Sequence, residues 1–275
     1  MSKRERWGEM LRVCLMGAGG KMGRAVAAEI LGDFKDRVMI ASAVERPDSP
    51  SVGKNVPGTD VVILSSEGIE EALKAGADAV ISFSSPNADA AYAPVIAGKG
   101  IDLVIGTTGF AESQLEGIKA AVKKSKASAV ISPNFSILVN AQVYLTRKAA
   151  ELLARYGYDY GVVEEHHVMK KDAPSGTAKK LLRQILEAGA AKEVVYRGEG
   201  LREKVKGELD TAVLRLGGTA GEHEVRIVGP HGRLVLETLM YNRNDFARGA
   251  VESALWLQKN RKPGKVFGME EVMGI

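Results

Sequence analysis

The sequence predicts an α/β protein: a doubly wound parallel sheet, then a second α+β domain with a mixed or antiparallel sheet. Three observations carry this. Short apolar runs of strand length recur through the first half, separated by Ala- and Leu-rich stretches with helical spacing. The first run ends in a glycine cluster, Gly17, Gly19 and Gly20, as a buried parallel strand does on entering a turn. After Ser136 the rhythm changes to consecutive β-rich runs joined by glycine turns.

In chain order, "LRVCLMGAGG" (Leu11 to Gly20) is a buried strand entering its turn, and "KMGRAVAAEIL" follows as a helix. Strands follow at Arg37 to Glu45, Asp60 to Ser66, Asp78 to Pro86, Ile101 to Gly109 and Ala127 to Ser136, with "GIEEALKAGA" and "ESQLEGIKAAVKKS" as intervening helices. The long amphipathic stretch "NAQVYLTRKAAELLARY" then leads to a strand "YDYGVVEEHHV" and a helix "SGTAKKLLRQILEAG". Three later runs, "LDTAVLRLGG", "EHEVRIVGP" and "GRLVLETLMYN", read as strands, and "DFARGAVESALWLQKN" returns to helix. The expected boundaries are 1–136 for a dinucleotide-binding domain, completed by 247–275, and 137–246 for a substrate-binding and oligomerisation domain.

The 275 residues suffice for such a pair of cores. Few aromatics argue against a base-stacking nucleic-acid surface, and a net charge of +4, spread along the chain without basic runs, slightly favours anionic small molecules. One cysteine, Cys14, excludes an intrachain disulfide and a four-thiolate zinc site. No apolar run reaches bilayer length, and the charged N-terminus passes directly into a strand, so a cytoplasmic protein without membrane contact is expected.

The glycine cluster gives G-x-x-G-x-x-G through Gly17, Gly20 and Gly23, between a strand and a helix. Glycines there permit a tight turn and let backbone N–H groups approach a pyrophosphate at a helix start, the mark of a Rossmann-like nucleotide domain. Glu45 ends the second strand at the distance expected of a ribose-binding acid, and the adjacent Arg46 suits a 2′-phosphate, so both NADH and NADPH are expected. "GTTGF" (Gly106, Thr107, Thr108) and "SPNFS" (Ser132, Pro133, Asn134, Phe135) stand at strand ends on the ligand-binding edge. Their hydroxyls and Asn134 suit contacts to ribose or the nicotinamide amide, and Phe135 suits packing on the nicotinamide ring.

A second concentration of chemistry lies in "EEHHVMKKDAPSGTAKKL". Imidazole holds and releases a proton near neutrality. His166 and His167 end a strand and face opposite ways, so one suits an acid while the other binds substrate or packs. Asp172 and Pro174 favour a turn, and Ser175 or Thr177 can cap the following helix. That helix start, with Lys170 nearby to pair with a carboxylate or help donate a proton, makes an anion receptor. A thiol-dependent semialdehyde dehydrogenase is disfavoured because Cys14 sits inside the first strand. A zinc enzyme is disfavoured because His223 and His231 stand isolated and "EEHH" lacks ligand spacing, so no metal is expected. A non-catalytic NAD sensor has no use for the histidine loop, and no DNA-reading helix pair is evident.

The loop "EEHHVMKKDAPSGTA" resembles the signature of the dihydrodipicolinate reductase family, E-x-H-H-x-x-K-x-D-A-P-S-G-T-A. The resemblance extends through "VCLMGAGGKMGRAV", "VIGTTGF", "NFS", "GEHEV" and "RGAVESALWL", and so covers the chain. It implies NADH- or NADPH-dependent reduction of a cyclic imine dicarboxylate, 4-hydroxy-tetrahydrodipicolinate, to tetrahydrodipicolinate on the diaminopimelate route to lysine. It implies His166 as proton donor and Lys170 as second catalytic residue, with His167, Gly176 and Thr177 as substrate contacts beside Ser175. Gly17, Ala18, Gly19, Gly20, Lys21, Met22, Glu45, Arg46, Gly106 to Thr108 and Ser132 to Phe135 resemble the cofactor set. It further implies that the final helix rejoins the nucleotide domain and that the second domain's sheet builds a homotetramer. Two positions depart from the family pattern: Ser82 replaces an acid, and Leu138 stands where glycine is common.

Overall fold

The computed structural model describes residues 10–275; the charged segment 1–9 lies outside them. The chain forms two compact units, one of residues 10–136 with Asn244–Ile275 and one of Ile137–Arg243.

The first unit is built on strands β1 (Leu11–Met16), β2 (Val38–Glu45), β3 (Ile63–Ser65), β4 (Ala79–Ser82), β5 (Asp102–Ile105), β6 (Ala129–Ile131) and β12 (Val266–Phe267). Their order in the sheet is β12-β6-β5-β4-β1-β2-β3, every neighbouring pair parallel. This is the doubly wound arrangement, with the reversal of strand order beside β1. Helices α1 (Lys21–Leu31) and α7 (Asn244–Asn260) pack on one another, as do α3 (Pro86–Gly98) and α4 (Glu112–Lys123). Cys14, Met16, Val80, Leu103 and Ala129 share a core with Ile69, Ala72 and Leu73 of α2 (Ile69–Lys74) and with α3 and α4. By strand alternation Val13, Leu15 and Val104, also fully buried, serve the opposite face. That double burial is why the strands read as continuous apolar runs.

The second unit holds α5 (Ile137–Leu153), β7 (Asp159–His166), α6 (Gly176–Glu187), β8 (Glu193–Val195), β9 (Glu208–Arg215), β10 (Glu222–Val228) and β11 (Arg233–Leu239). The sheet order is β11-β10-β7-β9-β8. It is mixed: β10 runs antiparallel to β7 and β11, while β7, β9 and β8 are mutually parallel. Parallel pairing of β7 with β9 requires a crossover, which α6 supplies. One face of the sheet is covered. Tyr160 and Val162 of β7, Leu209 of β9, and Val225 and Ile227 of β10 pack against Val143 and Ala150 of α5 and Leu181, Leu182 and Ile185 of α6. After this unit the chain returns through α7, β12 and α8 (Met269–Met273) to the first. No helix among the described residues is long and apolar enough to cross a membrane.

Candidate active site

In the first unit, β1 delivers the chain into a turn where close approach decides the residue type. A Cβ on Gly17, whose φ is +83°, would lie 2.4 Å from the Phe83 carbonyl oxygen, and one on Gly23 would lie 2.2 Å from the Gly17 oxygen. Only glycine lets α1 start this close to the strand end. Gly20 caps α1 without a side chain, leaving the first-turn N–H groups of Lys21 and Met22 to an incoming anion. Glu45, at the end of β2, bends back over the turn, its Oε2 accepting the Gly19 N–H at 2.8 Å and its Oε1 the Arg46 N–H at 3.0 Å. The Arg46 guanidinium pairs with Asp48 at 3.2 Å in an exposed contact.

A cavity of about 230 Å³ opens here, lined by Gly17, Gly20, Glu45, Arg46, Phe83 and Ser84 among others. Turn, acid, arginine and cavity fit a dinucleotide. Phe83, Ser84, Ser85 and Ala88 line the cavity and were missed from sequence, where "SFSSP" drew notice as a strand end and for Ser82 alone.

The loop after β5 is held by Thr107, whose Oγ1 accepts the Ser84 N–H at 2.9 Å; Gly106 N–H donates to the Ser82 carbonyl. Ser132 Oγ and Asn134 Oδ1 are spent within their own turn, on the Asn134 backbone and the Ser136 N–H. The Phe135 ring is enclosed, 1% exposed and edge-on to Phe83 at 6.0 Å, so it braces the loop from behind with no open face for stacking. Cys14 is buried, and burial pushes its thiol up to about 11 against a weaker pull from Ser42, which removes it as a nucleophile.

In the second unit, β7 alternates strictly, with Tyr160, Val162, Glu164 and His166 on the buried face. On β10, His223, Val225 and Ile227 do the same. The two apolar stripes that face α5 and α6 therefore end in a buried acid and two histidines. Register completes the set: His223 lies directly opposite Glu164. The imidazoles of His166 and His223 meet edge to face with centroids 5.0 Å apart. His223 is thus not isolated, as its lone place in the sequence suggested; strand pairing brings it to the site.

Glu164 is the hub. Both its oxygens accept the Ser175 N–H at 3.0 Å, and Oε1 also accepts from Arg215 Nη2 at 3.2 Å. Its Oε2 lies 3.6 Å from His223 Nε2 and 3.7 Å from His166 Nδ1. Burial opposes ionisation, but His223, Ser175 and Arg215 outweigh it and hold the carboxyl down to about 2. His166 is driven down to about 4, first by burial and then by His223, with Glu164 pulling the other way and Lys170 and Arg215 adding to the depression. Its Nδ1 has no hydrogen-bond partner. Space beside Nε2 depends on Gly221, where a Cβ would sit 3.2 Å from that nitrogen.

The loop after β7 is stapled by Arg215, which donates to the carbonyls of Lys170 and Asp172 as well as to Glu164. His167 is half-buried and anchored by its backbone to Thr219, while Lys170 Nζ pairs with Asp172 at 2.8 Å. Ser175, not Thr177, caps α6, its Oγ accepting the Ala178 N–H at 3.1 Å; Gly176 opens the helix. The same Oγ lies 3.0 Å from His223 Nε2. Ser175, His223 and Glu164 are the residue types of a hydrolytic triad, but serine and acid both approach Nε2, whereas a relay needs them on opposite ring nitrogens. Glu164, His166 and His223 also offer three converging ligand atoms of the kind a metal ion takes. The Arg215 guanidinium already occupies the carboxylate, which weakens that use.

The arrangement therefore sets a neutral His166 beside a capped helix start and an ammonium group. Of the residues singled out from sequence, His166, Lys170, Ser175 and Gly176 fall in this region; Glu164, His223 and Arg215 were missed. The missed signal was the inward stripe Tyr160, Val162, Glu164, His166, in which an acid occupies a core position.

Models of the dihydrodipicolinate reductase N-terminus and C-terminus match residues 11–135 and 139–273. The 4-hydroxy-tetrahydrodipicolinate reductase of Methanococcoides burtonii is 36% identical over 272 residues, covering 96% of this chain and 100% of that one. The enzyme of the same name from Anaeromyxobacter dehalogenans is 36% identical over 274 residues, covering 97% and 98%. Among solved structures, a dipicolinate-bound dihydrodipicolinate reductase from a Paenisporosarcina species superposes with a TM-score of 0.73 at 23% identity, covering 94% of this chain and 97% of that one; it shares the fold. Matched in both halves and related along its whole length, the chain belongs to the dihydrodipicolinate reductase family.

Proposed function

We propose that this protein reduces 4-hydroxy-tetrahydrodipicolinate to tetrahydrodipicolinate, using NADH or NADPH, on the diaminopimelate route to lysine. Beyond family membership, the observation that carries the reading is the buried Glu164, His166 and His223 set beside the capped start of α6. A bound dihydronicotinamide supplies the hydride; the residues of this chain bind the substrate and manage the proton. Lys170 and the α6 start receive a substrate carboxylate, with Lys170 leaving Asp172 to do so. His166 is neutral in the free protein at pH 7. The arriving dicarboxylate favours imidazolium, so His166 takes up a proton as the substrate binds. It then gives that proton to the ring carbon left electron-rich by hydride addition. Glu164 supports the charged imidazole and fixes the Ser175 end of the receptor.

Dual cofactor use is supported by Glu45 at the end of β2 and the adjacent Arg46. Glu45 supplies a ribose acceptor, and the exposed pairing of Arg46 with Asp48 is weak enough for a 2′-phosphate to replace it. Assembly through the second unit's sheet, as a homotetramer, is supported by exposed Leu214, Val228 and Leu239 on β9, β10 and β11.

The test follows nicotinamide absorbance with substrate generated in place from pyruvate and aspartate semialdehyde by its synthase. Oxidation that needs this protein and both precursors supports the reading, and the rate ratio of NADPH to NADH decides the cofactor. His166→Ala should lower kcat by about a hundredfold or more, with cofactor affinity unchanged. No oxidation by wild-type protein that binds the cofactor refutes the activity; normal turnover in the variant refutes the role of His166.

A further inference from the structure

Asp89 lies in the first turns of α3, 2% exposed, and no cation is among the groups that act on it. Its Oδ1 accepts from Ser82 Oγ at 2.6 Å. Ser82 ends β4 and is itself buried. The hydroxyls of Ser84 and Thr107 also face the carboxylate, but neither closes a hydrogen bond on Oδ2, which is left without a partner. Ser84 N–H in turn donates to Thr107 Oγ1, joining the loop after β4 to the loop after β5. Burying a carboxyl with one oxygen unpartnered and no cation beside it costs stability. What it organises here is the wall of the nucleotide cavity: Phe83, Ser84, Ser85 and Ala88 line it, and the Phe83 carbonyl sits against Gly17.

We infer that Asp89 is a positioning residue for the dinucleotide, gathering the Ser82, Ser84 and Thr107 hydroxyls so that the ends of β4 and β5 hold the cavity wall against the glycine turn. Ser82 faces Asp89 directly, so the acid sits on the helix side of a buried contact and the hydroxyl on the strand side. Exchanging the two keeps one carboxylate and one hydroxyl in the contact. The departure noted at Ser82 is thereby answered within this chain: a carboxylate is still present at that strand end, carried by the neighbouring helix.

The inference rests on the dinucleotide reading of the cavity, and the experiment separates the two. NADPH and NADH dissociation constants are measured by nucleotide fluorescence for wild type, Asp89→Ala, Ser82→Asp and the double exchange Ser82→Asp with Asp89→Ser. Cofactor and substrate KM and kcat are measured alongside. Asp89→Ala should weaken the cofactor by about tenfold and raise its KM, leaving substrate KM and kcat at saturating cofactor near wild type. Ser82→Asp alone sets two carboxyls face to face and should be worse. The double exchange should return cofactor binding to within about threefold of wild type. Wild-type affinity in Asp89→Ala, or a double exchange that binds no better than Ser82→Asp, overturns the inference. Should Asp89→Ala fail to fold, the double exchange against Ser82→Asp decides alone. Failure of wild-type protein to bind either dinucleotide overturns the reading of the cavity itself.

Discussion

Glu164 ties together most of the chemistry at the end of β7. Its carboxylate touches a backbone N–H, a guanidinium and two imidazoles, and it is fully enclosed. Glu164→Gln keeps the shape and removes the charge, leaving Arg215 and the Ser175 N–H with a weaker acceptor. Unfolding free energy should fall by about 2 kcal/mol, read from urea denaturation at pH 7.5. The same substitution removes the group that favours protonated His166. The alkaline limb of kcat should therefore move to lower pH, and an unmoved limb would show that Glu164 has no part in holding the proton. Little of this was legible in the sequence. The pair of histidines drew notice because histidine is rare in this chain, whereas Glu164 was given no role of its own until strand pairing enclosed it. His223 lies 59 residues beyond Glu164 in the chain, and only the antiparallel register of β7 and β10 brings them together.

Elements of the first unit were far more legible, because each parallel strand is buried on both faces and carries its signal in a few adjacent residues. Two strands escaped notice. β8 and β12 are three and two residues long, and both are sheet edges, where half-exposed positions dilute the apolar pattern. The expected strand at Asp60 to Ser66 shortens to β3 because Gly58, at φ +82°, and the Asn55 to Val62 bridge turn the chain before it. The turn into α1 is where an element depends most on one residue. Gly23→Ala would bring its Cβ to 2.2 Å from the Gly17 oxygen and 2.7 Å from the Ala18 Cα, both backbone atoms that cannot step aside. The start of α1 must move, and dinucleotide affinity should fall by at least about tenfold in a fluorescence titration. Unchanged affinity would mean that the turn does not hold the pyrophosphate.

For the whole molecule, two strongly shifted buried groups, His166 and Glu164, contribute to how stability depends on acid. The folded chain keeps His166 at about 4 against an ordinary 6.5, so between these values the unfolded chain binds a proton that the folded one refuses. Stability from this source is complete above pH 6.5 and drains away down to pH 4. Glu164, at about 2 against 4.5, adds a second loss that begins near pH 4.5. Each displacement corresponds to about 3 kcal/mol, though the two groups touch and act as one unit. Asp89 and Asp102, which burial pushes upward, work in the opposite direction over the carboxylate range. Urea midpoints at pH 7.5, 6 and 5 should fall steadily for wild type and much less for His166→Gln. Parallel curves would show that His166 carries no such linkage.

The return of the chain to its first unit has a temporal meaning. A polypeptide emerges from the ribosome in order, so residues 137–243 are complete while the seven-stranded sheet still lacks its edge strand β12 and the packing of α7 on α1. The second unit, bounded by its own sheet and two helices, can close while its neighbour waits. During that interval β6 presents a bare edge and α1 an uncovered apolar side, the surfaces on which a nascent chain is most open to mispairing. Segment Asn244–Ile275 thus works as a latch, completing the nucleotide sheet only after the second unit has been synthesised.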